Sequence, residues 1–454
     1  MGTISDKLMR IINTKEDIRQ ALISKGYDVP TSIPFKEYAK MISDLPCRVD
    51  SFPDIEGIVA RYSALGLTNE QMAANPVWVD KTGNGHDLQM KNFAWKEGSG
   101  ISDIYPGALV FDGVDDCGVC DNFPILTKEK GYTVVALRSY LAESIGYLVY
   151  NGTSAKQSAF AFERSDSLDT WSWGINSSIR NLLPKLMSYQ TSNSYNNNII
   201  STGTAIEGDK LIRIASVGGY SNVAIWELVF LDHDATEEEL TKIKDYFVKT
   251  YPWLFPDQAW TVVGKTNEDE DRATIANITG NGNNLVLSNF GFAEGSGYNE
   301  EGEYAGYLVT DGVDDKVQSS SFTMNEDWTI VGDWELLSNV QINCGIVKAQ
   351  NVYLYNIANG LLISINNPRS LQSFGTKSLH AICSDGRLYD RNWVEYEYTV
   401  DQNFAIVESS LNIGFNLNNY TQIAFKNLGI YNNQILSKDD CIKAYNYLQT
   451  LKAK

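Results

Sequence analysis

The pentapeptide DGVDD occurs at Asp112–Asp116 and again at Asp311–Asp315. Each copy packs three carboxylates into five positions, Asp112, Asp115 and Asp116 in one and Asp311, Asp314 and Asp315 in the other. Carboxylates this dense offer the hard oxygen ligands that Ca2+ takes, although the spacing does not follow an EF-hand loop. The same residues are also turn chemistry. Gly113 and Gly312 accept positive φ, and the Asp before each can bond nearby backbone N–H groups. A hairpin turn and a Ca2+ site are both open. Retention in both copies favours the turn, which both copies need.

A second chemistry is sugar binding, which asks for an aromatic platform with polar neighbours, because a pyranose has one apolar face and a rim of hydroxyls. Trp171 and Trp173 alternate along one strand face, where they serve either as such a platform or as core. The polar stretch SYQTSNSYNNNI (188–199) holds Tyr195 and Asn197, residue types suited to hydrogen-bonding a glycan. Trp393, near Tyr396 and Tyr398, is the corresponding candidate late in the chain. Classical catalytic sets are missing. His86, His233 and His380 are the only histidines, and they make no Ser-His-Asp or two-histidine metal pattern. Cys117 and Cys120 resemble a CxxC, but residues three apart on a strand point to opposite faces.

These residues sit on a duplicated framework. DKTGNGHDLQMKNFAWKEGSG (80–100) matches NITGNGNNLVLSNFGFAEGSG (277–297), ALVFDGVDD matches YLVTDGVDD, and the ends 227–247 and 427–448 also correspond in the same order. Each copy reads as short β-strands between Gly, Asn, Asp and Ser clusters, which predicts a sandwich of antiparallel sheets. One helix should close each copy. Thr236-Glu-Glu-Glu and Ser437-Lys-Asp-Asp are capping boxes, followed by Leu240, Ile243 and Phe247, and by Cys441, Ala444, Tyr445 and Leu448. The expected fold class is mainly β: two tandem jelly-roll sandwiches, 58–255 and 256–454, after a linker at 48–57 and a short helical segment at 1–47. The join YPWLFPDQAW (251–260) is aromatic and lacks Gly and Ser, so the halves should dock stiffly.

At 454 residues the chain has room for two such domains, and its 43% apolar content is that of a folding protein. The net charge of −19 disfavours nucleic acid as a partner. No apolar run approaches the roughly 20 residues of a membrane span, and the N-terminus has no signal-peptide core. A chain of this size needs no disulfides, so the six cysteines are expected as free thiols. Residues 1–47 hold seven Lys/Arg and six Asp/Glu, leaving a net charge of −20 on the rest. Ile4, Leu8, Ile11, Ile18 and Leu22 recur at near-heptad spacing, and Phe35, Tyr38 and Ile42 mark a further apolar face. Such short helices cannot build a core alone, so their apolar faces are expected to bury against other proteins or sister chains, the alternative being this chain's own β domain.

The strands ending in DGVDD, preceded by Asp80–Leu88 and in the second copy by Ile278–Leu285, resemble the concanavalin A-like or laminin-G-like superfamily of jelly rolls. Members of that superfamily bind glycans, bind proteins, carry calcium or hydrolyse glucans. Its glucanases carry Glu-x-Asp-x-Glu on a strand. Here the nearest runs, Glu268–Asp271 and Glu395-Tyr396-Glu397, lack the pattern, so no catalytic residue and no enzymatic activity are expected. The N-terminal stretch is similar to segments of tail, neck and fibre proteins of tailed bacteriophages, matching at Thr14, Lys15, Ile18, Ala21, Leu22, Lys25, Gly26, Phe35, Tyr38 and Ile42. The combination resembles head-fibre or tail-fibre proteins of phages infecting gut Bacteroidales, including the crAss-like group. The resemblance implies a virion-surface protein made in the bacterial cytoplasm. Residues 1–47 would anchor it to capsid, portal or tail as a homo-oligomer, with a trimer favoured. The jelly rolls would meet cell-surface or mucus polysaccharide. The alternatives it leaves are a glycan-degrading enzyme and an inert capsid spacer.

Overall fold

The computed structural model describes Lys15 and Arg19, and, from residue 52 to 453, all but 125, 127–130, 143, 152–160, 166–169, 172–179, 184–185, 192–209, 217, 338–343, 350–351, 358–359, 366–371, 375–377, 398–406, 414 and 417–418. The chain divides into two compact units, Met1–Pro53 and Asp54–Lys454. In the first unit only Lys15 and Arg19 are described, both helical. Ile4, Leu8, Ile11, Ile18, Leu22, Phe35, Tyr38 and Ile42 lie outside the described residues.

The second unit is mainly β and of the jelly-roll sandwich class. Its first half contains β1 (Ile58–Ser63), β2 (Val77–Trp78), β3 (Leu88–Lys91), β4 (Gly100–Ile101), β5 (Leu109–Asp112), β6 (Cys117–Cys120) and β7 (Thr133–Tyr140). Then follow β8 (Ser144–Asn151), β9 (Ala161–Ser165), β10 (Thr170–Trp171), β11 (Arg180–Leu183), β12 (Met187–Thr191), β13 (Ile212–Ser216) and β14 (Asn222–Leu231). They form two sheets, ordered β11-β12-β7-β14-β5-β4, with β1 also on β14, and β10-β9-β8-β13-β6-β3-β2. Alternation explains why the sheets stack. Phe111, Val134, Ala136, Ile225 and Phe230 face inward from one sheet, and Leu88, Met90, Cys120, Ile212 and Ile214 from the other. Phe230 meets Phe123 edge-on at 5.0 Å between ring centres, a favoured aromatic geometry.

The second half repeats the plan. Its long strand Ile423–Asn432 pairs with Trp328–Leu336 on one side and with Tyr307–Val309 and Gln258–Thr261 on the other. Among the described residues, every strand pairing stays within its own half.

A short helix, α1 (Asn69–Ala74), precedes β2, and one longer helix closes each half as the caps predict: α2 (Glu237–Thr250) and α3 (Lys438–Gln449). Thr236 and Glu239 form a reciprocal capping box, and Ser437 accepts from Asp440 N. The buried face of α3 is Cys441, Ala444, Tyr447 and Leu448. Tyr445, expected on that face, is half-buried and stacks on His380, while Tyr447 takes the buried position, so the stripe is shifted rather than changed in width.

The join is buried, as its composition suggests. Tyr251, Trp253 and Leu254 are almost wholly enclosed. Tyr431 donates to the Trp253 carbonyl (2.8 Å), and the Lys443 ammonium lies 4.4 Å from the Trp253 ring centre.

Candidate functional site

The DGVDD segment is not a hairpin turn. β5 and β6, which it joins, belong to opposite sheets, and so do Tyr307–Val309 and Lys316–Ser319 in the second half. The hairpin expectation fails because Asp-Gly chemistry specifies a tight reversal but not which sheet the next strand enters. The segment is an arch, keyed by its own carboxylates. Asp112 Oδ1 accepts from Val114 N (2.7 Å) and Asp115 N (3.3 Å), and Asp311 Oδ1 accepts from Val313 N (2.7 Å) and Asp314 N (3.3 Å). Asp116 is buried, accepting from Asp112 N (3.0 Å) and from the Ser99 hydroxyl (3.1 Å). Asp315 repeats this with Asp311 N (2.7 Å) and the Ser296 hydroxyl (3.1 Å). Burial pushes both Asp116 and Asp315 up to about 6.

In each arch the three carboxylates place oxygens within 4.8 Å of one another. The fit to Ca2+ is nevertheless poor. Ca2+ takes roughly six to eight oxygens. Asp112 Oδ1 and both Asp116 oxygens already serve protein donors, which leaves chiefly Asp112 Oδ2 and the exposed Asp115. These residues hold the arch.

The arch leads into a strand that lines a cavity. Gly113, at φ +77°, sits so close to Asn222 that an added Cβ would lie 2.8 Å from the Asn222 side chain. Immediately after Asp116, β6 presents Cys117 and Val119 outward and buries Gly118 and Cys120. Register puts Lys91 opposite Cys117, Gln89 opposite Val119, and Val119 opposite Arg213. The outer face of this sheet, away from the core, therefore carries Gln89, Lys91, Cys117, Val119 and Arg213 side by side. The segment 218–221 stands at its end. It is held by the Ser221 hydroxyl on Gly146 O (2.8 Å) and Ser221 N on Ala215 O (2.9 Å). Gly146 is required there, since a Cβ would stand 2.7 Å from the Tyr220 carbonyl carbon and 2.8 Å from Gly219 O.

The result is a cavity of about 420 Å3 lined by Lys91, Cys117, Val119, Arg213, Ser216, Gly218, Gly219 and Tyr220. A second, of about 390 Å3, shares Lys91 and Val119 with it and adds Gly85, Asp87, Gln89, Cys120, Asp121 and Asn122. Tyr220 is 37% exposed. Arg213 Nε is buried without a hydrogen-bond partner, and neither Arg213 nor Lys91 pairs with a carboxylate among the described residues. Burial pushes the Cys117 thiol up, so it stays neutral, while Lys91 and Arg213 act on it in the opposite sense.

Of the sequence candidates, Trp171 ends β10 at the far edge of this same sheet, opposite Arg164 in register. Its side chain lies outside the described residues, as do Trp173, Tyr195 and Asn197 altogether. Trp393 adopts φ +59° in a turn closed by Trp393 N on Asp390 O (3.0 Å). Its ring contacts His380 at 5.3 Å and Tyr445 at 5.8 Å, while the Tyr396 hydroxyl turns to Asp390 (3.2 Å). His380 is buried, its Nδ1 lacks a partner, and burial holds it below its ordinary value, so the imidazole is neutral. Glu395 and Glu397 are exposed.

Lys91, Arg213 and Tyr220 were missed in the sequence because each is an ordinary outward strand or loop residue. A signal was present in the duplication. Register and alignment set Ser288 against Lys91, Lys316 against Cys117, and Asn412 against Arg213. The arch residues are kept in both halves while this face changes.

No protein-family model matches the sequence, and no curated protein matches it. Among solved structures it is similar to a Trypanosoma rangeli sialidase in complex with sialic acid, at 10% identity and TM-score 0.32, over 52% of this chain and 42% of that one. It is also similar to the binding domain of Paraclostridial Mosquitocidal Protein 1, at 13% identity and TM-score 0.27, over 42% and 51% of the two chains. A third is botulinum neurotoxin type C, whose cell entry depends upon interaction with two ganglioside molecules, at 10% identity and TM-score 0.30, over 83% and 98%. The chain spans about two fifths of the length of the sialidase it matches. Likeness this low transfers no activity.

Proposed function

We propose that this is a bacteriophage virion protein, a head or tail fibre, that binds polysaccharide on a host surface or in mucus without cutting it. Residues 1–47 attach it to capsid, portal or tail as a homo-oligomer, and the jelly rolls project outward. The N-terminal sequence pattern supports the attachment role. The observation that carries glycan binding is the pair of joined cavities on the outer sheet face of the first sandwich. They form a trough with one exposed aromatic ring, Tyr220, among charged and amide side chains. That combination suits the apolar face and hydroxyl rim of a pyranose. A weak site is sufficient, because many copies on one particle multiply avidity.

A glycan array of capsular and mucin polysaccharides, probed with the full chain, tests this. Binding to at least one polysaccharide, lost in Tyr220→Ala, is expected. Silence across the array, or binding indifferent to Tyr220, contradicts it. Release of reducing ends from a bound polysaccharide contradicts the non-enzymatic part.

A further inference from the structure

The two cavities differ in charge, although Lys91 lines both. Lys91 and Arg213 converge on the larger one, where the thiol of Cys117 contributes no charge. In the smaller one two carboxylates, Asp87 and Asp121, outnumber the single ammonium of Lys91, with Gln89 and Asn122 beside them. Two cations on one face, neither ion-paired among the described residues, are conspicuous in a chain of net charge −19. Arg213 spends none of its guanidinium donors on a described carboxylate, and its Nε is already out of water. A buried donor without a partner is costly, and an incoming anion would supply that partner. The second half has Ser288 and Asn412 at the corresponding positions, with Lys316 as its one cation there, so the framework does not require this pair.

We infer that the trough selects an anionic saccharide, a sugar unit bearing a carboxylate or sulfate beside free hydroxyls. The inference rests on the glycan-binding reading and names its ligand class. The anionic group sits between Lys91 and Arg213, where a planar guanidinium can take two oxygens at once. Neighbouring hydroxyls donate to Asp87 and Asp121 through the shared wall of Lys91 and Val119. The acidic smaller cavity argues against a polyphosphate or nucleic-acid strand, which would bring charge to both ends. A neutral glycan would leave the cations unmatched.

The test is calorimetric titration of the full chain with four probes: a uronic-acid oligomer, a sulfated oligomer, a neutral oligomer of similar linkage, and inorganic sulfate. The expected result is that one or both anionic oligomers bind at least roughly tenfold more tightly than the neutral one, as the loss of a charge-assisted contact implies. Lys91→Met/Arg213→Met should abolish the difference, and Arg213→Lys should retain part of it. The uronic-acid and sulfated arms identify which anion is read. Equal binding of neutral and anionic oligomers overturns the anionic class and leaves glycan binding standing. Binding of sulfate alone as tightly as the sulfated oligomer overturns the saccharide. No binding of any oligomer overturns both this inference and the function on which it rests. Unchanged thermal unfolding of the variants ensures that a loss is local.

Discussion

The acidic pentapeptide looks like a ligand site in sequence and behaves as a joint in the fold. Asp116 and Asp315 are the keys. Each is buried, accepts a serine hydroxyl and a backbone N–H, and is pushed up to about 6 by that burial. A carboxyl raised above its ordinary value of 3.8 favours the protonated form in the fold. Its contribution to stability is therefore fully present below about 4 and is lost as pH rises through about 6. The double variant Asp116→Asn/Asp315→Asn should lose stability least, relative to wild type, near neutral pH. Thermal unfolding followed from pH 4 to 7 reads this, and a difference that does not change with pH contradicts it. Added Ca2+ should leave the wild-type midpoint unmoved. The sequence exposed these carboxylates at once because they are identical in both copies. It hid Lys91 and Arg213 because a single outward cation on a strand carries no local signal. Their meaning appears only when register sets them side by side.

At the scale of elements, the two halves solve one packing problem differently. Within β14 of the first half, Glu227 is buried and accepts from the Tyr251 hydroxyl (2.8 Å), the Tyr246 hydroxyl (3.0 Å) and Arg61 Nη1 (3.3 Å). Burial pushes Glu227 up to about 7 against the pull of Arg61. In the second half the same register holds Ala259 and Asn427. A buried ion pair broken on one side leaves an unpaired charge and costs about 3–5 kcal/mol, whereas replacing both partners costs far less. Arg61→Ala or Glu227→Asn alone should therefore destabilise strongly. The double variant, which copies the second half, should cost clearly less than the sum of the two. Denaturant unfolding of the four proteins measures the coupling, and strict additivity contradicts it. Helix caps and strand alternation were legible because they are local: Thr236, Ser437 and the alternating burial of Leu88–Lys91 follow their patterns. The passage of the chain between sheets at DGVDD was not, because it depends on long-range pairing of β5 with β14 and of β6 with β13.

At the scale of the whole molecule, the described structure is a pair of sandwiches joined through a buried aromatic segment, and the sequence shows the duplication and the aromatic character of the join. What the first 47 residues do is a prediction. Deleting them should leave a chain that folds, since every described strand lies beyond them, yet fails to enter particles. Incorporation of the truncated chain into virions contradicts the attachment role. We propose that the outer face of the first sandwich, and not the acidic arches, meets the glycan. An experimental map of the full chain bound to the strongest array ligand tests it most directly. Sugar density is expected across Lys91 and Val119, with its anionic group against Arg213, a ring on Tyr220 and the corresponding face of the second sandwich bare. Density seated on Asp112–Asp116 or around Trp393, with that trough empty, would contradict it.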